Sequence, residues 1–268
     1  MNSTYRILTI LGLMTVLTGF SEAVHAQQPI RVVQEASSEE LTAVELYNQG
    51  VDKLEKGDYA GAISDFGDAL QLNPEDADTY YNRGYAYHSL GNYDAAIYDY
   101  TQAIKLNPDF SQAYSNRGYT HFVRRDYQKA IADFTKAIEI NPENDTAYIS
   151  RGNVYDELGN SEAALDDYAK ALEINPENAR LYYNRGLTRN RLEQYEDAIA
   201  DYTKSIELQP TFAEAYYNRG LTQFQLENIE AATADLQKAA ELFKEQGRSD
   251  SYQSVVNALQ AMQGEANP

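Results

Sequence analysis

The sequence predicts an all-α chain made of six copies of a helix-turn-helix unit and closed by one further helix. Three observations carry this. Five of the seven prolines, Pro74, Pro108, Pro142, Pro176 and Pro210, follow one another at intervals of 34 residues. The same interval relates Gly50, Gly84, Gly118, Gly152, Gly186 and Gly220, and again Ala62, Ala96, Ala130, Ala164, Ala198 and Ala232. Between these points apolar and aromatic residues recur at steps of three and four, the spacing of one helix face. A fixed period of this length marks a stacked architecture in which each copy buries the apolar side of its neighbour.

Taken in order, residues 1–26 read as a secretory signal. Ile7 to Phe20 is mostly apolar and follows Arg6, and Val24-His25-Ala26 places small residues where a signal peptidase cuts. The run is shorter than the roughly 20 apolar residues needed to cross a bilayer. The mature chain is therefore expected to begin near Gln27, exported to a bacterial periplasm or, in a photosynthetic source, a thylakoid lumen. Retention as an anchor is the alternative, because Arg6 is the one basic residue of that segment. Residues 27–42 form a polar leader running into the first helix, with Ser37 and Glu40 spaced as a capping box.

The repeated units are 43–76, 77–110, 111–144, 145–178, 179–212 and 213–246. In the second of them, Ala77 to Tyr87 carries an aromatic, a glycine and another aromatic at helical spacing, which defines the packing face of a first helix. A turn follows, as at Gly57-Asp58, Gly91-Asn92 and Gly159-Asn160. Ala96, Tyr100 and Ala103 then line a second helix, which Asn107-Pro108 ends because proline lacks the N–H and disfavours helical geometry before it. Residues 247–268 supply a capping helix with Tyr252, Val255, Val256, Leu259 and Met262 on one face, and a frayed tail from Gly264.

This pattern resembles the tetratricopeptide repeat, and runs such as Asn82-Arg83-Gly84 resemble those of exported bacterial members. The resemblance covers residues 43–246. It implies a right-handed α-solenoid of antiparallel helix pairs whose concave surface is lined mainly by the first helices. Both ends depart from the pattern. Unit one has Leu46 where the others have Tyr80, Tyr114, Tyr148, Tyr182 or Tyr216, and unit six has Leu236 and no closing proline.

Two charged rows repeat with the units. The seventh place carries Gln49, then Arg83, Arg117, Arg151, Arg185 and Arg219; the twenty-third carries Asp65, Asp99, Asp133, Asp167, Asp201 and Asp235. A partly buried guanidinium needs a carboxylate. Arginine is missing only from the unit without a predecessor, which predicts a ladder between units: Asp65 to Arg83, Asp99 to Arg117, Asp133 to Arg151, Asp167 to Arg185 and Asp201 to Arg219. Pairing within each unit is the alternative. A catalytic role for such carboxylates suits five near-identical copies poorly.

The resemblance further implies that first-helix places 2, 5, 6, 9, 12 and 13 face the groove. Place six gives Asn82, Asn116, Asn184 and Asn218, whose amides both donate and accept and so suit the backbone of an extended peptide. Bonding to a neighbouring helix is the alternative reading of this row. Around it lie Tyr81, Tyr85, Tyr119, Phe122, Tyr183 and Tyr217, with Arg180 and Arg191, as candidate ligand contacts. Chaperone-binding members of the family hold a C-terminal carboxylate with a Lys, Asn and Arg clamp. Here place five offers Tyr, Ser or Ile, so that activity is not expected, while Arg180 and Arg191 leave a weaker anion site open.

Composition narrows the function. Twenty-two Lys and Arg against 41 Asp and Glu give a net charge of -19, which opposes nucleic acid and anionic lipid as partners. The absence of cysteine removes thiol nucleophiles, thiolate metal sites and redox pairs. His88 and His121 lie on adjacent first helices without a third ligand at fixed spacing, so no metal and no cofactor is expected. The expected protein is a non-catalytic, exported scaffold or adaptor that takes a peptide segment of partner proteins in its groove. An acidic cation-binding or self-associating structural protein is the alternative, and an enzyme a weaker one.

Overall fold

A computed structural model describes residues 38–265. The signal segment, the leader with Ser37, and residues 266–268 lie outside the described residues. The described residues form thirteen helices, with no strand among them. The chain forms two compact bodies that divide after Val154. The first holds α1 (Ser38–Glu55), α2 (Tyr59–Leu72), α3 (Ala77–Ser89), α4 (Tyr93–Leu106), α5 (Ser111–Val123), α6 (Tyr127–Ile140) and the first ten residues of α7 (Asp145–Glu157). The second holds the end of α7, then α8 (Ser161–Ile174), α9 (Ala179–Arg191), α10 (Tyr195–Leu208), α11 (Ala213–Gln225), α12 (Ile229–Glu245) and α13 (Ser249–Glu265).

Local chemistry sets the helix ends. Asp58, Asn92 and Asn160 accept the N–H of Gly61, Ala95 and Ala163 and so cap the second helices. Those helices stop at Asn73, Asn107, Asn141, Asn175 and Gln209, whose extended backbone still donates its N–H to the carbonyl four residues back. The proline that follows each cannot continue the ladder. First helices are capped at the last place of the preceding unit, where Asp76, Asn144 and Asn178 accept backbone N–H groups. Phe110 and Phe212 occupy the same place and make no such bond. Their rings are buried instead, 4.9 Å from Tyr81 and 4.8 Å from Tyr183.

Between the helices of a unit the chain turns through a left-handed residue. Gly91 does so at φ 75°, and Arg125, Glu193 and Glu227 adopt φ of 63°, 60° and 61° at the equivalent place without the freedom of glycine.

The hairpins close over a glycine. A Cβ on Gly50 would lie 2.5 Å from the Phe66 ring, and one on Gly84 2.9 Å from the Tyr100 ring. The alanines one turn into each second helix are fully buried, as are Phe66, Tyr100, Phe134, Tyr168, Tyr202 and Leu236 beyond them. In the second body, α13 lays Val255, Ala258 and Met262 against Leu236, Leu242 and Phe243, which covers the apolar face that unit six would otherwise expose.

Glycines at the crossing and away from it should respond to a methyl with opposite sign. Gly50→Ala is expected to cost about 1–3 kcal/mol through overpacking. Gly67, inside α2, meets only Arg83 Nη1 at 3.9 Å, so Gly67→Ala is expected to gain about 0.5–1 kcal/mol from lower chain entropy. Denaturant unfolding of the two variants checks both signs.

Candidate functional site

The repeated arginine pairs inside its own unit. Arg83 Nε and Nη2 donate to the two oxygens of Asp99 at 2.7 and 2.8 Å. Arg117 does the same to Asp133, Arg185 to Asp201 and Arg219 to Asp235. The ladder between units is therefore corrected: Asp99 does not serve Arg117, nor Asp133 Arg151, nor Asp201 Arg219, and Arg185 turns to Asp201 instead of Asp167. Asp65 is held by Lys53 at 2.7 Å, a cation from the eleventh place that the row of arginines does not contain. The reason is geometric. Places seven and twenty-three face each other across the glycine crossing of one hairpin, where a planar fork meets a carboxylate with both oxygens.

What the arginine sends to the preceding unit is its remaining nitrogen. Nη1 of Arg117, Arg151 and Arg219 donates to the hydroxyls of Thr101, Thr135 and Thr203 at 2.9–3.0 Å. Each of the five guanidinium groups also lies 5.4–5.8 Å from the tyrosine ring three residues earlier, Tyr80, Tyr114, Tyr148, Tyr182 or Tyr216. Unit one, with Leu46 and Gln49, lacks ring and guanidinium together.

The asparagine row is also built into the packing. Asn82 Nδ2 donates to the Tyr47 hydroxyl, Asn116 to Tyr81 and Asn218 to Tyr183, at 2.9–3.0 Å and always to place five of the preceding unit. Asn82 and Asn116 are buried. Tyr81, Tyr183 and Tyr217 are buried too, so place five belongs to the core and not to an open wall. Burial raises the hydroxyl pKa of Tyr81 and Tyr183, which keeps both phenols neutral acceptors for the amides. Asn184 differs: it is half-buried, and its amide makes no side-chain hydrogen bond among the described residues. The place-five residue one unit earlier is Ile149, which has no hydroxyl.

What remains open lies at places 2, 9, 12 and 13. In the first body Tyr85, His88, Tyr119 and Phe122 are half-buried and adjoin one another and the first residues of the second helices. Tyr59 and Tyr85 meet edge to face at 6.3 Å, and Tyr119 stacks on Phe122 at 6.4 Å. In the second body Arg180 lies 5.8 Å from the Phe212 ring. Arg191 forks onto Asp156 at 2.7 and 3.1 Å, so its donors are already committed and the weaker anion site expected there loses one of its two cations. Among the described residues no three His, Asp or Glu side chains gather as a metal site, and no helix is long and apolar enough to cross a membrane.

Sequence models of the tetratricopeptide repeat match residues 50–91, 77–110, 111–144, 134–166, 152–192, 189–227 and 213–246, a span from 50 to 246 without a gap. The chain is a tetratricopeptide repeat protein. No curated protein sequence matches it. Among solved structures it is similar to YrrB, described as a TPR protein with an unusual peptide-binding site, at 26% identity over 73% of this chain and 97% of that one, with a TM-score of 0.62. It is similar to MamA at 28% identity over 62% and 96%, with a TM-score of 0.58. MamA from Desulfovibrio magneticus RS-1 shares the fold at 21% identity over 66% and 99%, with a TM-score of 0.61. As a scaffold of the tetratricopeptide family, this chain works through protein–protein interaction.

The tetratricopeptide period hid one row of contacts and offered a signal for it. Asparagine at place six follows tyrosine at place five of the preceding unit in three pairs, and Ser150 follows Ser115 where the tyrosine is absent. Polar matching recurs between places twelve and ten, where His88 meets Thr120 and Asn190 meets Thr222 at 2.9 Å.

A double-mutant cycle on Arg117 and Asp133 is expected to give a coupling of about 2 kcal/mol, and one on Arg117 and Asp99 less than about 0.5 kcal/mol. The tyrosine hydroxyls supply a second check. Tyr81→Phe strands the buried Asn116 amide and is expected to cost about 1–2 kcal/mol, and Tyr183→Phe less, because Asn218 keeps its bond to the Glu214 carbonyl. Tyr217 makes no hydrogen bond, since the capping helix has Tyr252 at the place of the asparagine. Tyr217→Phe is expected to leave stability within about 0.5 kcal/mol of the parent, or to raise it. Unfolding midpoints of the three variants measure the contrast.

Proposed function

We propose that the protein is an exported, non-catalytic adaptor whose first helices bind extended peptide segments of partner proteins. One observation supports this above the rest: after packing has claimed places five and six, the half-exposed first-helix side chains are aromatic or amphipathic. Tyr85, Tyr119 and Phe122 in the first body, and Arg180 and Asn184 in the second, offer ring faces, a cation and an amide. Such groups gain contact area at low entropic cost and supply the hydrogen bonds that a peptide backbone lacks when it leaves water. The peptide-binding site named for YrrB agrees with this reading. Export rests on the apolar segment Ile7 to Phe20 and the small residues before Gln27.

The test is binding by the full chain and by variants that leave packing intact. Partners cross-linked in the native exported compartment are mapped to a peptide, and that peptide is titrated. Tyr119→Ala and Asn184→Ala are expected to weaken it by about tenfold each, while Tyr98→Ala, on an exposed second-helix ring, leaves affinity unchanged. Loss of binding on Tyr98→Ala with none at Tyr119 or Asn184 would place recognition on the other face.

A further inference from the structure

In the first body an aromatic strip joins two first helices to the starts of the neighbouring second helices: Tyr93, His88, Tyr119, Phe122 and Tyr127 follow one another with ring centroids 5.3–6.4 Å apart, and Tyr59 meets Tyr85 at 6.3 Å. Its centre is an imidazole between two tyrosine rings, each 5.3 Å away. The hydrogen bonds fix the tautomer of that imidazole. Thr120 has one hydroxyl proton, and it goes to the carbonyl of Asn116 at 2.7 Å, because a carbonyl only accepts. Thr120 therefore accepts from His88, whose Nδ1 at 2.9 Å must carry the proton. Nε2 is left as a lone pair, without a partner among the described residues. Burial lowers the His88 pKa, which keeps the ring in this neutral form.

Units one and two are acidic, whereas unit three, which holds Tyr119, Phe122 and Tyr127, carries Arg117, Arg124, Arg125, Lys129 and Lys136 against four Asp and Glu. The cations on α1, α3 and α5 are Lys53, Arg83 and Arg117, and each is tied to an aspartate: Asp65, Asp99 and Asp133. Arg124, which follows α5, is held by Asp94. Asp78 on α3 is half-buried and forms no ion pair among the described residues. Between residues 43 and 110 there are twelve Asp and Glu against four Lys and Arg. Ring faces and a bare imidazole nitrogen, with the acidic units one and two on one side, form an electron-rich surface in want of a donor.

We infer that this strip receives an arginine or lysine side chain of a partner peptide, its cation over the Tyr93 and Tyr119 rings and one N–H donated to His88 Nε2. The inference rests on the groove reading above and names the chemistry of its ligand. A cation so placed replaces water with ring faces and an acceptor, and the acidic first two units draw it in. An acidic segment would meet unneutralised carboxylate and no free cation on these helices.

The test uses the full chain and three synthetic peptides, acetyl-Gly-Ser-Leu-X-Tyr-Ser-Gly-amide, with X as arginine, norleucine or glutamate. Binding is read by NMR of isotope-labelled histidine, with His121 as the internal control. The free protein is expected to show the Nδ1–H tautomer at His88. The arginine peptide is expected to shift the His88 Nε2 signal and leave His121 in place, to bind about tenfold more tightly than the norleucine peptide, and to weaken as salt is raised. His88→Phe keeps a ring of similar size and removes the acceptor; a fall in arginine-peptide affinity of about fivefold is expected, with partial recovery in His88→Gln. Equal binding of the arginine and norleucine peptides, or tighter binding of the glutamate peptide, overturns the cation assignment and leaves the groove reading standing. If none of the three moves His88, while Tyr119→Ala also leaves the cross-linked partner peptide bound, both readings fall. An Nε2–H tautomer in the free protein overturns the donor argument on its own.

Discussion

The structure depends on a guanidinium fork set beside a glycine. Where the two helices of a unit cross, the missing Cβ lets an aromatic ring sit against backbone, and the arginine one residue earlier reaches the aspartate that precedes that ring. The aspartates are nearly inaccessible and the arginines less than one-fifth exposed, so neither charge is affordable alone. The fork fixes the hairpin, and its spare nitrogen and the tyrosine-to-asparagine bonds then set one hairpin against the next. Register within a unit is thus ionic, and between units hydroxyl and amide bonds are joined by ion pairs at the ends of the first helices, Arg124 with Asp94 and Arg191 with Asp156. Burial raises the Asp99 pKa even against the Arg83 fork, a measure of how much desolvation the arrangement has to offset.

The units are interchangeable in fold but not in surface. Place five alternates between buried tyrosine and Ser115 or Ile149, and the residue that caps the next helix follows it: Phe110 and Phe212 pack on tyrosine, whereas Asn144 bonds Ser115. These paired exchanges preserve packing while freeing particular groups. Asn184 makes no hydrogen bond through its side-chain amide among the described residues, and His88 keeps Nε2 open because Thr120 gives its one proton to Asn116. A scaffold of this kind acquires specificity from positions where the internal matching stops.

Much of the fold was legible in the sequence, because the period, the proline stops and the Gly-Asn turns each have a local physical cause. The arginine partner was not. Place seven lies 16 residues from the aspartate of its own unit and 18 from that of the unit before, and periodicity alone does not separate two neighbours so close in step. The missing arginine of unit one pointed the wrong way, since Lys53 from another place fills the gap at Asp65. The asparagine row stayed open between a ligand and a neighbouring helix for a related reason. A polar residue in mid-helix signals a partner, but only the tyrosine one unit earlier says that the partner is internal. Three non-glycine turns at positive φ were also illegible, because backbone hydrogen bonds to the end of the first helix hold exposed Arg125, Glu193 and Glu227 where side-chain preference would not.

The most direct measurement is NMR scalar coupling across the guanidinium hydrogen bonds, from each arginine Nε–H to the carboxylate carbon that accepts it. The account predicts a cross-peak from Arg117 to Asp133 and from Arg185 to Asp201. Cross-peaks from Arg117 to Asp99 and from Arg219 to Asp201 would contradict it, and with it the assignment of each buried fork to a single unit.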